Sequence, residues 1–306
     1  MVDRSVRPLS KRRREALEGY LFILPWFFGF LVFTAGPMLA SLGLSFTKWN
    51  LLQPPSWNGI ANYVHMVSDP LFWHSLGVTV RYTLISVPAR LVLALAVAML
   101  LTHRLPGMNA FRTIYFLPAI IGGIPVALLW SWVFNPDFGI LNYLLSLIGI
   151  QGPQWLSNTD TALWAVIIMS LWDFGVPMLI FIAGLQNIPP HLYESAELDG
   201  ANWLGRLFYI TLPMLSPTVL FLLISQVISS FQVFDIVYGL QPGNLGAPSQ
   251  STLVYLLYFY QTGFRFYEMG YASALIWVLL VLILLLTAAL FRSSDLWVFY
   301  ESEVKR

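Results

Sequence analysis

Apolar runs long enough to cross a bilayer, about 20 residues each, recur along this chain between short polar stretches. They cover residues 20–46, 76–102, 113–134, 161–184, 212–238 and 267–291. No two-residue alternation runs through them, and a lipid-facing backbone must satisfy its own hydrogen bonds, so each run predicts a helix. Pro25, Pro37, Pro88, Pro118, Pro125, Pro177 and Pro217 fall inside or at the ends of the runs and read as kinks, not breaks. The first run follows a basic tail, 1–19, is too long for a cleaved leader and lacks a small-residue cleavage site, so it reads as a retained signal-anchor. The pattern predicts an all-α membrane protein with six transmembrane helices over 20–292 and a short tail at 293–306.

The polar stretch 185–211, between the fourth and fifth runs, has its own helical pattern. Pro189 and Pro190 suit the opening of a short helix, because the first helical positions need no N–H donor. Residues 191–198 continue it, and Gly200 supplies a residue able to turn left-handed and stop it. Asn202 is placed to cap a second short helix toward Ile210, with Pro213 where the next apolar run begins. A helix–turn–helix on one membrane face results, with Glu194, Glu197 and Asp199 open to a partner.

Lys and Arg set the orientation. They occupy the N-terminal tail, Arg104 and Arg112, Arg206, and the end at Arg292, Lys305 and Arg306. The alternate loops hold Lys48 and Arg265, with Arg81 just inside the second run. Positive charge collects on the cytoplasmic side, which places both termini and 185–211 there. On the outer side Trp49, Trp57, Trp73, Trp130, Trp132 and Trp155 crowd the ends of spans as interfacial anchors. Residues 137–150 suit a short interfacial helix, 239–251 a turn-rich loop, and 252–264 a short re-entrant or interfacial helix.

Composition agrees and removes other classes. Apolar residues make up 58% and charged residues 10%, against about 25% charged in soluble domains. A net charge of +1 gives no hint of a nucleic-acid partner, and without cysteine there is no disulfide or cysteine metal site. A phosphate-binding loop needs Gly-Lys-Ser/Thr, but Lys11, Lys48 and Lys305 follow Ser10, Thr47 and Val304. His65, His74, His103 and His191 have no metal-binding spacing. Active transport would therefore draw on an ion gradient or on another subunit.

Ionisable residues inside spans point to function. Arg90 lies about 21 Å along the second run and Asp173 about 18 Å along the fourth, at ~1.5 Å per residue. Both spans start from the outer face, so the two sit at similar depth. Either they form a structural ion pair, which matched depth favours, or Arg90 faces a pathway and meets an anionic or heavily hydroxylated solute. Arg81 and Asp235, near outer ends, read as wet. In the fifth run Ser225, Ser229 and Gln232 share one face, with Gln226 and Ser230 adjacent and Phe231, Phe234 and Tyr238 close by. Such a stripe either joins a neighbouring helix or lines an aqueous cavity suited to sugar hydroxyls.

Glu194-Ser195-Ala196, three residues, Gly200, nine residues, Ile210, one residue, then Leu212-Pro213 resembles the cytoplasmic coupling loop of type I binding-protein-dependent ABC importer permeases. The chain is similar to their carbohydrate-uptake group, relatives of the maltose and glycerol-phosphate transporter membrane subunits, over almost its whole length. The segments Leu44-Ser45-Phe46-Thr47-Lys48-Trp49, Phe181-Ile182-Ala183-Gly184-Leu185-Gln186, Phe231-Gln232-Val233-Phe234-Asp235 and Gly270-Tyr271-Ala272-Ser273-Ala274 carry the likeness further. Ser195 replaces the usual alanine, and the usual Gly-rich outer segment is reduced to Gly239-Leu240-Gln241-Pro242-Gly243. The resemblance implies a type I ABC importer permease fold in a prokaryotic cytoplasmic (inner) membrane. Its implied partners are a second homologous permease, two ATPase subunits that bind ATP and Mg, an external solute-binding protein, and a sugar-type solute. No cofactor is implied on this chain. Residues Glu194, Ser195, Ala196, Asp199, Gly200, Ile210, Leu212 and Pro213 would couple to the ATPases. Arg90, Asp173, Ser225, Gln226, Ser229, Gln232, Asp235 and Tyr238 would line the pathway. An ion-coupled secondary transporter would want inverted repeats and a mid-membrane carboxylate; Asp173 qualifies and no repeat is visible. A non-catalytic membrane scaffold is the other alternative.

Overall fold

The computed structural model describes residues 11–102, 107–240 and 246–299. Residues 1–10, Arg104, Gln241, Pro242, Gly243, Lys305 and Arg306 lie outside them, and with them parts of both tails and of the Gly-rich segment. The chain is mostly helical. Helices Glu15–Ser45, Pro70–Leu101, Trp203–Phe231 and Met269–Ser294 are each long and apolar enough to cross a membrane, and two further bent pairs bring the number to six if each is one span.

The first run folds as α1 (Lys11–Phe30) and α2 (Gly36–Ser45), joined through a π-turn at Leu31–Ala35. Pro37 lies in the first turn of α2, and the wider turn before it accommodates the missing N–H. A two-stranded ribbon, β1 (Thr47–Lys48) against β2 (Ser56–Trp57), and α3 (Ala61–Ser68) follow. Asn62 Nδ2 donates to Ser45 O at 2.7 Å and Thr47 O at 2.9 Å, which fixes this loop to the end of α2.

The 32-residue α4 (Pro70–Leu101) is the central element. Asp69 caps it, Oδ1 accepting from Leu71 N at 2.9 Å, and Pro70 takes the first position, where it sacrifices no bond. Pro88 lies within the helix, as expected of a membrane span. Fully buried Ala94 and Ala98 let neighbouring helices approach α4 closely.

The third run is broken. α5 (Met108–Ile120) and α6 (Ile124–Val133) meet at 105°. Pro118 is inside α5 and Pro125 in the first turn of α6, so neither makes the corner. Gly123 does, at φ +75° and ψ −149°, a conformation essentially reserved for glycine. The reading of this span as kinked is thus corrected: two adjacent glycines, Gly122 and Gly123, release the backbone where the prolines do not. After the exposed short helix α7 (Ile140–Leu147), the fourth run forms α8 (Thr159–Leu171) and α9 (Gly175–Gln186), bent by 47° around residues 172–174.

The polar stretch gives α10 (Pro190–Leu198) and α11 (Trp203–Arg206). α11 does not end before the fifth run. It passes through a π-turn, Leu207–Thr211, into α12 (Leu212–Phe231), making one continuous helix from Trp203 to Phe231. α12 is capped at Gln232, and α13 (Asp235–Leu240) follows after a break at residues 232–234. α14 (Tyr255–Tyr260) carries fully buried Tyr255 and Leu257, so this segment is inserted in the core instead of lying at an interface. α15 (Met269–Ser294) completes the fold.

Two apolar cores meet along α4. One gathers Tyr82, Phe134, Val166, Phe231, Tyr255 and Leu275 toward α14; the other packs Val87, Ala98, Phe181, Ile182, Leu215 and Leu222 toward α10. The first long helix stands apart: its most apolar window has no buried residue.

Candidate functional site

α10 is a rigid knob. Pro190 opens it, and its end forms a two-bond cap: Gly200 N donates to Glu197 O at 3.1 Å and Ala201 N to Ala196 O at 2.9 Å. That pairing requires a left-handed residue after the last helical turn, and Gly200 sits at φ +80°. Asn202 then caps α11, its Oδ1 accepting from Gly205 N at 2.8 Å. The turn is therefore closed on both sides by bonds that the sequence encodes.

The knob is fixed to the base of the long helix. Tyr193 Oη lies 3.0 Å from Thr211 Oγ1, and Thr211 Oγ1 donates to Arg206 O at 3.2 Å. Leu192 of α10 packs with Ile188 and Ile210 into the second core. Glu194, Ser195, Asp199 and Gly200 are exposed, as is Leu198 at 90%. Ala196, Ile210, Leu212 and Pro213 are half-buried and form the seat, not the outward surface. An exposed pair, Arg206 Nη1 to Glu197 Oε2 at 3.6 Å, adds about 0–1 kcal/mol at most. Behind the knob a cavity of about 1320 Å³ opens between α4, α5 and residues 190–212, with Met99, Arg112, Tyr193, Trp203 and Arg206 in its wall.

Further along α12, helix breaks converge. A small cavity of about 80 Å³ is lined by Pro118, Gly122 and Gly123 from the α5–α6 corner, Trp172 and Asp173 from the α8–α9 bend, and Ile236 from α13. A Cβ placed on Gly123 would lie 3.8 Å from Asp235 Oδ2, so the α12–α13 break adjoins the same corner. Non-helical backbone at membrane depth is tolerated where it is buried in protein or lines a water-filled cavity. These breaks therefore mark a place where polar groups and space occur together inside the helical bundle.

The polar residues divide around it. Arg90, nine-tenths buried, donates from Nη1 to Gln226 Oε1 at 2.7 Å, joining α4 to α12. It makes no ion pair with Asp173, which corrects the pairing that matched depth suggested. Asp173 sits in the exposed bend between α8 and α9 and lines the small cavity, close enough to feel the Arg90 charge without touching it. Residue count fixes depth along a helix but not direction around it. Thr83 Oγ1 and Ser230 Oγ, 2.9 Å apart, form a second α4–α12 bond. Ser225 Oγ turns back to Phe221 O at 2.8 Å, so it serves its own helix. Ser229, Gln232 and Asp235 are exposed. Tyr238 stacks on Phe234 with centroids 5.3 Å apart, and Tyr260 of α14 closes on both rings. Within the stripe, Ser230 and Gln226 join α12 to α4, while Ser229 and Gln232 are exposed.

Sequence reading missed Tyr193, Leu198 and Gly123. It also missed Asp69, whose Oδ2 accepts from Tyr271 Oη at 2.7 Å and from Tyr258 Oη, tying α4, α14 and α15 together.

Residues 91–296 match the family described as binding-protein-dependent transport system inner membrane component. The chain is 46% identical over 294 residues to the probable ABC transporter permease protein YesP of Bacillus subtilis (strain 168), covering 95% of this chain and 94% of that protein. It is 34% identical over 276 residues to the trehalose/maltose transport system permease protein MalF of Thermococcus litoralis, covering 90% and 92%. The lactose transport system permease protein LacF of Rhizobium radiobacter is also 34% identical, over 291 residues covering 93% and 96%. A chain in the crystal structure of a bacterial ABC transporter involved in import of the acidic polysaccharide alginate superposes with a TM-score of 0.77 at 26% identity, over 93% of this chain and 97% of that one. From its matched sequence and shared fold, this chain belongs to the inner-membrane permease family of binding-protein-dependent transport systems.

Proposed function

We propose that this chain is one of two permease subunits of an ATP-driven importer that takes up a sugar, oligosaccharide or sugar derivative. The observation that carries the reading is one continuous helix, Trp203–Phe231, which joins a capped knob at its base to the polar level of Gln226 and Ser229. A push on α10 passes to the helix base through the 199–202 turn and the Tyr193–Thr211 contact, and from there, at ~1.5 Å per residue, one helix carries it to that level. Two ATPase subunits, which bind ATP and Mg on their own chains, would receive α10 in a cleft through Glu194, Ser195, Leu198 and Asp199. Their closure would tilt α12 and rearrange the convergent breaks, opening the path alternately to each side.

In this reading the bent pairs count as single spans, giving six, with both termini and 185–211 in the cytoplasm and the chain in a prokaryotic inner membrane. The unburied first span is left for a second permease to cover. An external binding protein would load solute at the opposite mouth. Sugar as the solute is supported by the relatives, whose names specify trehalose/maltose, lactose and arabinooligosaccharides, and by the solved importer of an acidic polysaccharide.

Reconstitution in liposomes tests this. The chain with its companion permease, ATPases and binding protein should accumulate a labelled oligosaccharide only with ATP inside the ATPase compartment. Accumulation driven by an ion gradient without the ATPases, or none across a panel of sugars, overturns it.

A further inference from the structure

The α4–α12 seam holds polar groups whose hydrogen bonding is incomplete. Arg90 uses Nη1 on Gln226, yet its Nε–H is buried without a partner. Ser86 Oγ, one turn away on α4, is also buried without one. The two residues lie about 6 Å apart along the helix axis, with the Thr83–Ser230 bond beyond Ser86 and the Arg90–Gln226 bond at the other end. A buried donor left unpaired is destabilising, and a buried guanidinium without a contacting carboxylate is more so. Gln226, being neutral, orients the guanidinium without cancelling its charge, and it occupies the end of the fork opposite the Nε–H edge. That edge is the one a carboxylate grips with two parallel bonds. Asp173, in the α8–α9 bend, acts on Arg90 through space without contact.

We propose that Arg90 is the carboxylate anchor of the pathway and that the sugar carried is acidic, an oligosaccharide containing uronic acid. The inference rests on the sugar-uptake reading above. Ser86 is positioned to meet a ring hydroxyl beside the carboxylate. The seam is closed here, and the opening of α4 against α12 during transport exposes the Nε–H edge. A carboxylate fits better than a phosphate monoester, because Asp173 already offsets part of the Arg90 charge, so a phosphate at about −1.5 to −2 leaves more uncompensated negative charge than a carboxylate does.

The test compares oligogalacturonate, its neutral methyl ester and a phosphorylated disaccharide in the reconstituted complex. Uptake of the acid should exceed that of the other two at least tenfold. In the purified complex without binding protein, the acid should raise the Tm and the ester should not, which removes the binding protein's own selectivity. Arg90→Lys keeps charge but loses the fork, and Gln226→Glu supplies an internal carboxylate; each should bring the acid-to-ester ratio close to one. Preference for ester or phosphate in the wild type, no acid-specific Tm rise, or a ratio unchanged in both assembled variants overturns the inference. Uptake of neutral sugars alone defeats this inference and leaves the importer reading standing, whereas no uptake of any sugar defeats both.

Discussion

The Tyr193 hydroxyl lies 3.0 Å from Thr211 Oγ1, so the knob and the long helix are joined by a side-chain bond as well as by the chain between them. A single neutral hydrogen bond contributes about 0.5–1.5 kcal/mol, enough to bias a rocking joint but not to decide folding. Tyr193→Phe should insert and assemble normally yet transport several-fold fewer solute molecules per ATP hydrolysed. Parallel assays of uptake and phosphate release in proteoliposomes measure that ratio.

Gly200 should tolerate little. Proline cannot reach φ +80° and would remove the N–H donated to Glu197 O, so Gly200→Pro should uncouple transport while the chain still enters the membrane. Gly200→Asn, which accepts the left-handed conformation, should keep most uptake. Glu194→Lys, acting on the exposed face of the same knob, should lower ATPase co-purification. Normal uptake by both Gly200→Pro and Glu194→Lys removes this element from the coupling role.

At the α5–α6 corner, Gly123→Ala places a side chain in a conformation that costs about 1–3 kcal/mol. The new Cβ would meet Asp235 Oδ2 at 3.8 Å, an ordinary contact, so the cost comes from the backbone conformation. We expect reduced uptake with retained assembly, and a larger loss for Gly123→Val. Equal uptake by wild type and Gly123→Val would show that the corner does not shape the path.

Asp69 lies just outside the α4 span. Burial pushes its carboxyl up, but hydrogen bonds from Tyr258, Tyr271 and the backbone of Leu71 and Phe72 outweigh burial and hold it below the usual carboxylate range. A lowered folded-state value means that this stabilisation is present above the unfolded carboxylate range, near pH 4, and is lost as pH falls through the folded value. Asp69→Asn should therefore lower the Tm at neutral pH and shrink the gap to wild type in acid. A gap that is constant with pH contradicts the network.

The apolar runs disclosed α4, α12 and α15 because burial in lipid demands about 20 apolar residues whatever the packing. The paired short helices of 190–206 were legible down to Gly200 and Asn202, since caps are local and their residue types are dictated by backbone geometry. The 105° corner was not, because hydropathy is blind to direction and Pro118 and Pro125 drew attention from Gly122-Gly123. The partner of Arg90 was misread for a related reason: depth follows from counting, whereas Gln226 is reached through the relative rotation of α4 and α12. Asp69 escaped because its tyrosine partners lie 189 and 202 residues away.

The central claim, that α10 carries the force of ATP hydrolysis into the bundle, is tested most directly at Leu198. The chain has no cysteine, so Leu198→Cys introduces a single thiol at the outward tip of the knob. In the assembled complex it should cross-link to an ATPase subunit, be protected there from a membrane-impermeant maleimide added outside cells, and abolish uptake once locked. A Leu198→Cys thiol that is labelled from outside intact cells, or that gives no cross-link while uptake proceeds, contradicts the account.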